Sequence, residues 1–130
     1  MERLRSVMGF SPAKLAWFNS NGLMVREIPT PLPLALVEES GVIGVKASVL
    51  ITQDLSYSDR LDGYLRKNLE PKTSKDRFVW KTRFLDSFAR YLNQLYKKKV
   101  YLVELKAEEI FVEELGEKSW RFYFGNVNKI

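Results

Sequence analysis

The chain has 130 residues, 45% of them hydrophobic, and a formal net charge of +5. This length and composition predict one globular domain that spans residues 1–130. The absence of both cysteine and histidine excludes disulfides, thiolate zinc sites, serine–histidine triads and histidine-ligated metals. We therefore expect a protein that is not an enzyme, and the sequence indicates no metal site and no cofactor.

No apolar run reaches the roughly 18 residues that a membrane span requires. The basic residues among residues 1–5 are not followed by a continuous apolar stretch, so we expect no signal peptide. The sequence thus predicts a cytoplasmic protein without a membrane partner. Its abundance of Glu and Lys resembles the surface chemistry of proteins from hot environments.

The N-terminal part predicts two hairpins. Residues 14–18 and 23–28 carry aromatic and β-branched side chains on either side of Asn21-Gly22, a dipeptide typical of tight hairpin turns. The prolines of residues 29–33 indicate a stiff connector, with a docking surface as the alternative. Residues 34–37 and 42–52 predict the second hairpin. The longer strand alternates strictly, which predicts a buried face formed by Ile43, Val45, Ala47, Val49 and Ile51.

Two helices are predicted next. The first begins within Ser56–Asp59, with one of the two serines as N-cap, and ends at Glu70, because the residue before a proline is disfavoured in a helix. The second follows a capping signal at Thr73 and continues to about Lys97. At 100° per residue its apolar residues gather on one side; they are Phe84, Leu85, Phe88, Tyr91, Leu92, Leu95 and Tyr96.

Three C-terminal strands are predicted at residues 100–105, 109–115 and 119–125, although residues 107–115 are also compatible with a helix. The fold class expected is therefore α+β. Its sheets should be mostly antiparallel, with the two helices inserted between the N-terminal hairpins and the three C-terminal strands.

Charge is distributed unevenly. Residues 55–99 contain twelve Lys and Arg against five Asp and Glu, a net charge of +7, whereas residues 100–117 contain one against six, a net charge of −5. A basic, solvated helix face suits a phosphate backbone. The candidate nucleic-acid contacts are Lys72, Lys75, Lys81, Arg83, Arg90, Lys97, Lys98 and Lys99.

We therefore predict a small non-catalytic module that binds DNA or RNA through this face. One alternative is that the charges are only solvated, complement the helix dipole or pair with the chain's own glutamates. Another is an accessory or structural subunit that acts by assembly with itself or with a protein partner. On residues 119–125, Trp120, Phe122 and Phe124 share one face, which we expect to lie in the core. Arg121 and Tyr123 share the other face, which we expect to be available for ligand contact.

A third hypothesis concerns catalysis. Glu104-Leu105-Lys106 resembles the E-x-K half of the PD-(D/E)xK motif of restriction-endonuclease-like nucleases, a resemblance that covers three residues. It implies a carboxylate that binds Mg²⁺ and a lysine that orients water. The family also needs an aspartate on a neighbouring strand, for which the nearest strand-end residue is Asp54.

Overall fold

The computed structural model describes residues 11–127, so residues 1–5, where no signal peptide is expected, lie outside the described part. The α+β class with antiparallel sheets is confirmed: within residues 11–127, three α-helices accompany a two-stranded and a three-stranded antiparallel sheet. The chain falls into two compact units, Met1–Asp54 with Asn126–Ile130, and Leu55–Gly125. The single-domain organisation stays a prediction. No helix within residues 11–127 is long and apolar enough to cross a membrane.

The first unit begins with helix α1, Pro12–Val25, so the hairpin predicted for residues 14–28 is wrong. Ser11 caps the helix, because its Oγ accepts a hydrogen bond of 3.1 Å from the backbone N–H of Lys14, and Pro12 occupies the first turn, where a missing N–H costs nothing. Asn21 donates to the Trp17 carbonyl at 2.8 Å. This helical contact replaces the turn that Asn21-Gly22 suggested.

The second predicted hairpin is confirmed. Strands β1, Pro33–Ser40, and β2, Val45–Thr52, pair antiparallel, with Leu36 opposite Leu50 and Val37 opposite Val49. Ser11 Oγ donates a 2.9 Å hydrogen bond to Glu38. This bond places the start of α1 over the face of the sheet that carries Glu38.

The predicted buried face of β2 is wrong, because α1 covers the other side of the hairpin. Leu50 is half-buried, whereas Val49 is 57% and Ile51 47% exposed. On β1, Val37 is also 57% exposed. The alternation therefore identified correctly which residues share a face but not which face is covered.

The second unit contains strand β3, Asp59–Arg60, helices α2, Leu61–Leu69, and α3, Ser74–Lys97, a 3₁₀ turn at Ala107–Glu109, and strands β4, Ile110–Gly116, and β5, Ser119–Phe124. The sheet order is β3-β4-β5. Both helices and the last two strands are thus confirmed.

Two details of that unit correct the sequence predictions. Helix α2 begins at Leu61 after Arg60, which makes no side-chain capping bond, so neither Ser56 nor Ser58 is its N-cap. Residues 100–106 form no strand, although their apolar residues alternate. Val100 is instead bound to the end of α3, since its N–H donates to the Leu95 carbonyl at 2.8 Å.

Aromatic side chains form the core of the second unit. Trp80 stacks on Phe84, with ring centroids 5.0 Å apart, and the edge of Trp120 meets the Phe84 ring at 5.2 Å. Phe122 contacts both Phe84 and Tyr91. These contacts place α3 on the face of the sheet that carries Trp120 and Phe122, as their alternation predicted.

Candidate nucleic-acid interface

The candidate interface is built on α3, whose first turn is fixed by a capping interaction. Thr73 Oγ1 accepts from the backbone N–H of Asp76 at 3.4 Å and donates to the carboxylate of Asp76 at 2.8 Å. Asp76 also brings a negative charge to the positive end of the helix dipole. The helix is therefore anchored at its start without using any of the candidate cations.

Three of the candidate cations form a line on the outer side of α3. Arg83, Arg90 and Lys97 are spaced by seven residues, a step that turns the helix back by only about 20°. All three are exposed. Fourteen residues separate the first from the last, about 21 Å along the axis. We call these three residues the basic ridge.

The basic ridge keeps most of its charge available. Arg90 pairs with Asp86, four residues earlier, at 3.0 Å, and both side chains are largely exposed. Within residues 11–127, Arg83 and Lys97 make no ion pair. Exposed pairs of the Arg90–Asp86 kind contribute little energy and are screened by salt, so a phosphate can displace that one as well.

The other predicted contacts surround the basic ridge unequally. Lys75 and Lys99 are exposed, whereas Lys72 and Lys98 are half-buried. Lys72 lies over the Trp80 ring at 5.2 Å from its centroid, a cation–π contact. Lys81 is exposed, but it is two residues and therefore about 200° from Arg83, on the opposite side of the helix. The structure thus does not bring Lys81 onto the basic ridge.

Backbone hydrogen bonds close the C-terminal end of α3. Lys99 adopts a φ of +59°, and its N–H donates to the Tyr96 carbonyl at 3.0 Å. The N–H of Lys98 donates to the Gln94 carbonyl, also at 3.0 Å. This left-handed termination turns the chain sharply at Lys99, so Lys97 is the last of the three lysines to lie on the helix itself.

Glu104, Glu113 and Glu114 have partners other than the basic ridge. Lys106 pairs with Glu104 at 3.3 Å, and Arg121 lies 3.7 Å from Glu113. Glu114 accepts a short hydrogen bond from the Tyr64 hydroxyl. Of the carboxylates between residues 100 and 117, Glu104 is thus engaged by Lys106, Glu113 by Arg121 and Tyr123, and Glu114 by Tyr64 of α2.

The Arg121–Tyr123 face of β5 is a closed polar cluster. The Tyr123 hydroxyl donates to Glu113 at 2.7 Å, and the side chain is buried. Burial raises the pKa of Tyr123 to about 12, with the Glu113 and Tyr57 hydrogen bonds adding to the shift and Arg121 opposing it. Arg121 itself has its pKa raised by its interactions with Tyr123 and Glu113. Of the two residues predicted to contact a ligand, Arg121 is exposed and Tyr123 is not.

The nuclease hypothesis required Glu104 and Lys106 at the end of a strand, and that strand is not formed. The two side chains form an exposed ion pair instead. Within residues 11–127, no cluster of three or more acidic side chains could hold a metal ion. Asp54 belongs to the first unit and Glu104 to the second.

Scans against protein-family models, against curated proteins and against solved structures found no match to this chain.

Proposed function

We propose that the chain is a small non-catalytic module that binds nucleic acid through the basic ridge of α3. The observation that supports this proposal most directly is an exposed line of cations, Arg83, Arg90 and Lys97, on a helix whose other side is fixed to a packed aromatic core. Because the helix is already formed, its backbone loses no further conformational entropy on binding. The proposal keeps the cytoplasmic location predicted from the sequence.

The chemistry of the basic ridge favours binding without strong sequence preference. Cations on one helix line reach phosphate oxygens, and contacts to phosphates position a protein without specifying bases. With Lys75 and Lys99 nearby, three to five phosphate contacts give a log–log salt slope of roughly −3 to −4.5 on duplex DNA. Duplexes of different sequence should therefore bind with similar affinity at a given salt concentration.

Fluorescence anisotropy with labelled duplex DNA and single-stranded RNA over a range of salt concentrations tests the proposal. Replacing Arg83, Arg90 and Lys97 together by Glu should abolish measurable binding. Replacing the same three residues by Gln should leave a salt slope shallower by about 2 to 3, because three phosphate contacts are lost.

A matched control separates the effect of the basic ridge on binding from the effect of net charge. Lys46, Lys106 and Lys118 are exposed and lie outside α3, so changing them to Glu alters the total charge by the same amount. The control variant should retain most of the affinity. Binding that does not depend on salt, or an equal loss in the two triple-Glu variants, would contradict the proposal.

A further inference from the structure

Helix α3 carries a second apolar row that its own unit does not cover. The row follows alternating steps of four and three residues, the heptad spacing of a coiled-coil seam. Its members, which we call the outer seam, are Phe78, Thr82, Leu85, Ala89, Leu92 and Tyr96. At 100° per residue the outer seam lies about 120° around the helix from the core row of Phe84, Tyr91 and Leu95.

The outer seam is open along most of its length. Phe78 is 72%, Leu85 48% and Tyr96 68% exposed, whereas Leu92 is half-buried. Tyr96 also meets the edge of Tyr101, with ring centroids 5.8 Å apart, and Tyr101 is itself 58% exposed. A contiguous apolar surface of this kind on a helix is typical of an interaction site.

The sizes of the side chains suit the close approach of another helix. Large residues at positions 78, 85 and 92 alternate with the small Thr82 and Ala89. Taking the large residues as heptad position d, the leucines Leu85 and Leu92 occupy the position that favours two-stranded parallel coiled coils. Because α3 is already held by the aromatic core, no helix has to form on association, which removes the main cost of pairing short helices.

Charges beside the outer seam select the partner and its orientation. In this heptad register Lys81 occupies position g and Asp86 position e, and in a parallel pair position g of one helix faces the e position five residues later in the other. Two copies of α3 in parallel therefore bring Lys81 of each against Asp86 of the other, in place of the exposed and weak Asp86–Arg90 pair within each helix. An antiparallel pair that buries the whole outer seam would instead bring the two copies of Asp86 together.

We infer that the outer seam is a homodimer interface in which two copies of α3 pair in parallel and in register. The basic ridge occupies heptad position b, outside this contact. A dimer would consequently present two basic ridges to solvent. Self-association through the outer seam does not depend on nucleic-acid binding, and each can fail without the other.

Sedimentation velocity of the nuclease-treated full chain over a range of protein concentrations tests the interface. We expect a concentration-dependent monomer–dimer equilibrium, with Leu85→Gln raising the dissociation constant about tenfold to a hundredfold through lost apolar burial. The control Val103→Gln alters a residue that is 81% exposed and outside the outer seam, and it should leave the equilibrium unchanged. Circular dichroism confirms that both variants are folded.

A charge reversal tests the parallel orientation. Lys81→Asp and Asp86→Lys should each weaken the dimer about threefold to tenfold, because each places like charges opposite one another twice in the dimer. The double variant restores the opposite-charge pairs and should restore the dissociation constant. Positions 81 and 86 are five apart and do not face each other on one helix, so restoration cannot arise within a single chain.

The absence of native cysteine allows a direct test of register. In a parallel, in-register pair, residue 89 lies opposite its own copy, so Ala89→Cys should form an intermolecular disulfide on mild oxidation, whereas Arg90→Cys should not. Three results would overturn the inference. The first is a monomer at every concentration, and the second is a dimer that Leu85→Gln leaves intact and Val49→Gln disrupts. The third is a double charge variant whose dimer dissociation constant is no lower than those of the single variants.

Discussion

The two sheets of this chain differ in how their apolar residues are covered. In the three-stranded sheet, Trp120 and Phe122 pack directly on aromatic residues of α3, with ring contacts of 5.2 to 5.6 Å to Phe84. In the two-stranded sheet, α1 covers one face, while Val37 and Val49 are each 57% exposed on the other. One sheet therefore has its apolar face inside a core, and the other has apolar residues on its surface.

This difference shows when the hydrophobic pattern of a strand is sufficient to predict which of its faces is buried. Alternation along a strand indicates that two sets of side chains point to opposite faces, but it does not indicate which face is covered. In β5 the buried set is rich in large aromatics, whose size makes burial strongly favourable. In β2 both sets contain aliphatic residues, for example Leu50 on one face and Val49 on the other, so the position of α1 decides which set is covered.

The largest expected effect is the loss of a core aromatic. Phe84 is 1% exposed and contacts four other rings, so Phe84→Ala should lower the free energy of unfolding by about 3–5 kcal/mol. The matched change on the open sheet face, Val49→Ala, should alter it by less than about 1 kcal/mol.

Urea denaturation measures both effects, followed by the fluorescence of Trp17 in the first unit and of Trp80 and Trp120 beside Phe84 in the second. Equal losses of stability in Phe84→Ala and Val49→Ala would show that the open face of the two-stranded sheet is covered in solution, which would remove the contrast between the sheets.

A smaller effect is expected within the aromatic core, where two tyrosines differ in how their hydroxyl groups are bound. The Tyr64 hydroxyl accepts from Trp120 Nε1 at 2.6 Å and donates to Glu114. Within residues 11–127 the buried Tyr91 hydroxyl has no hydrogen-bond partner. Burial raises the pKa of both hydroxyl groups, and Glu114 adds to the shift at Tyr64.

Because of this difference, Tyr64→Phe should lower the free energy of unfolding by about 1–3 kcal/mol, since it leaves the buried Trp120 N–H without an acceptor. Tyr91→Phe removes a hydroxyl group that lacks a partner and should be neutral or stabilising. The same urea titration measures both variants. Tyr91→Phe as destabilising as Tyr64→Phe would indicate that an ordered water satisfies the Tyr91 hydroxyl.

Sequence reasoning succeeded where local signals and long-range packing agree. The capping residue Thr73 and the apolar rows of α3 predicted the long helix, and the aromatic alternation of β5 predicted its buried face. The hairpin predicted for residues 14–28 is wrong because Asn21-Gly22 is also compatible with a helix, while Ser11-Pro12, a helix-start signal at the other end of the segment, begins α1.

The strand predicted within residues 100–106 is wrong for a different reason. Their alternation is compatible with a strand, but a strand needs a partner, and pairing is a non-local property that the pattern does not contain. The exposure of the basic ridge had a local signal, because Arg83, Arg90 and Lys97 lie seven residues apart. The outer seam did not stand out from the sequence, since its residues merged with the core row into one broad apolar side.

The smallest effect expected concerns pH and the polar side of the three-stranded sheet. Tyr123 is buried beside Glu113, and its pKa is raised from 10.0 to about 12. The folded state therefore holds this proton more tightly than the unfolded state. The stabilisation is complete below pH 10 and is lost as the pH rises towards 12. Tyr123→Phe should make the free energy of unfolding less dependent on pH in this range.

Urea titrations across the alkaline range, with tyrosinate absorbance followed in parallel, measure the effect of Tyr123. The control is Tyr101→Phe, which removes a hydroxyl group from a side chain that is 58% exposed and packs against Tyr96 instead of Tyr123, and it should change the pH dependence much less. If Tyr123→Phe retained the full alkaline loss of stability, the polar side of this sheet would be open to solvent. It would then resemble the uncovered face of the two-stranded sheet, because water would stabilise the tyrosinate in the folded state as well as in the unfolded state.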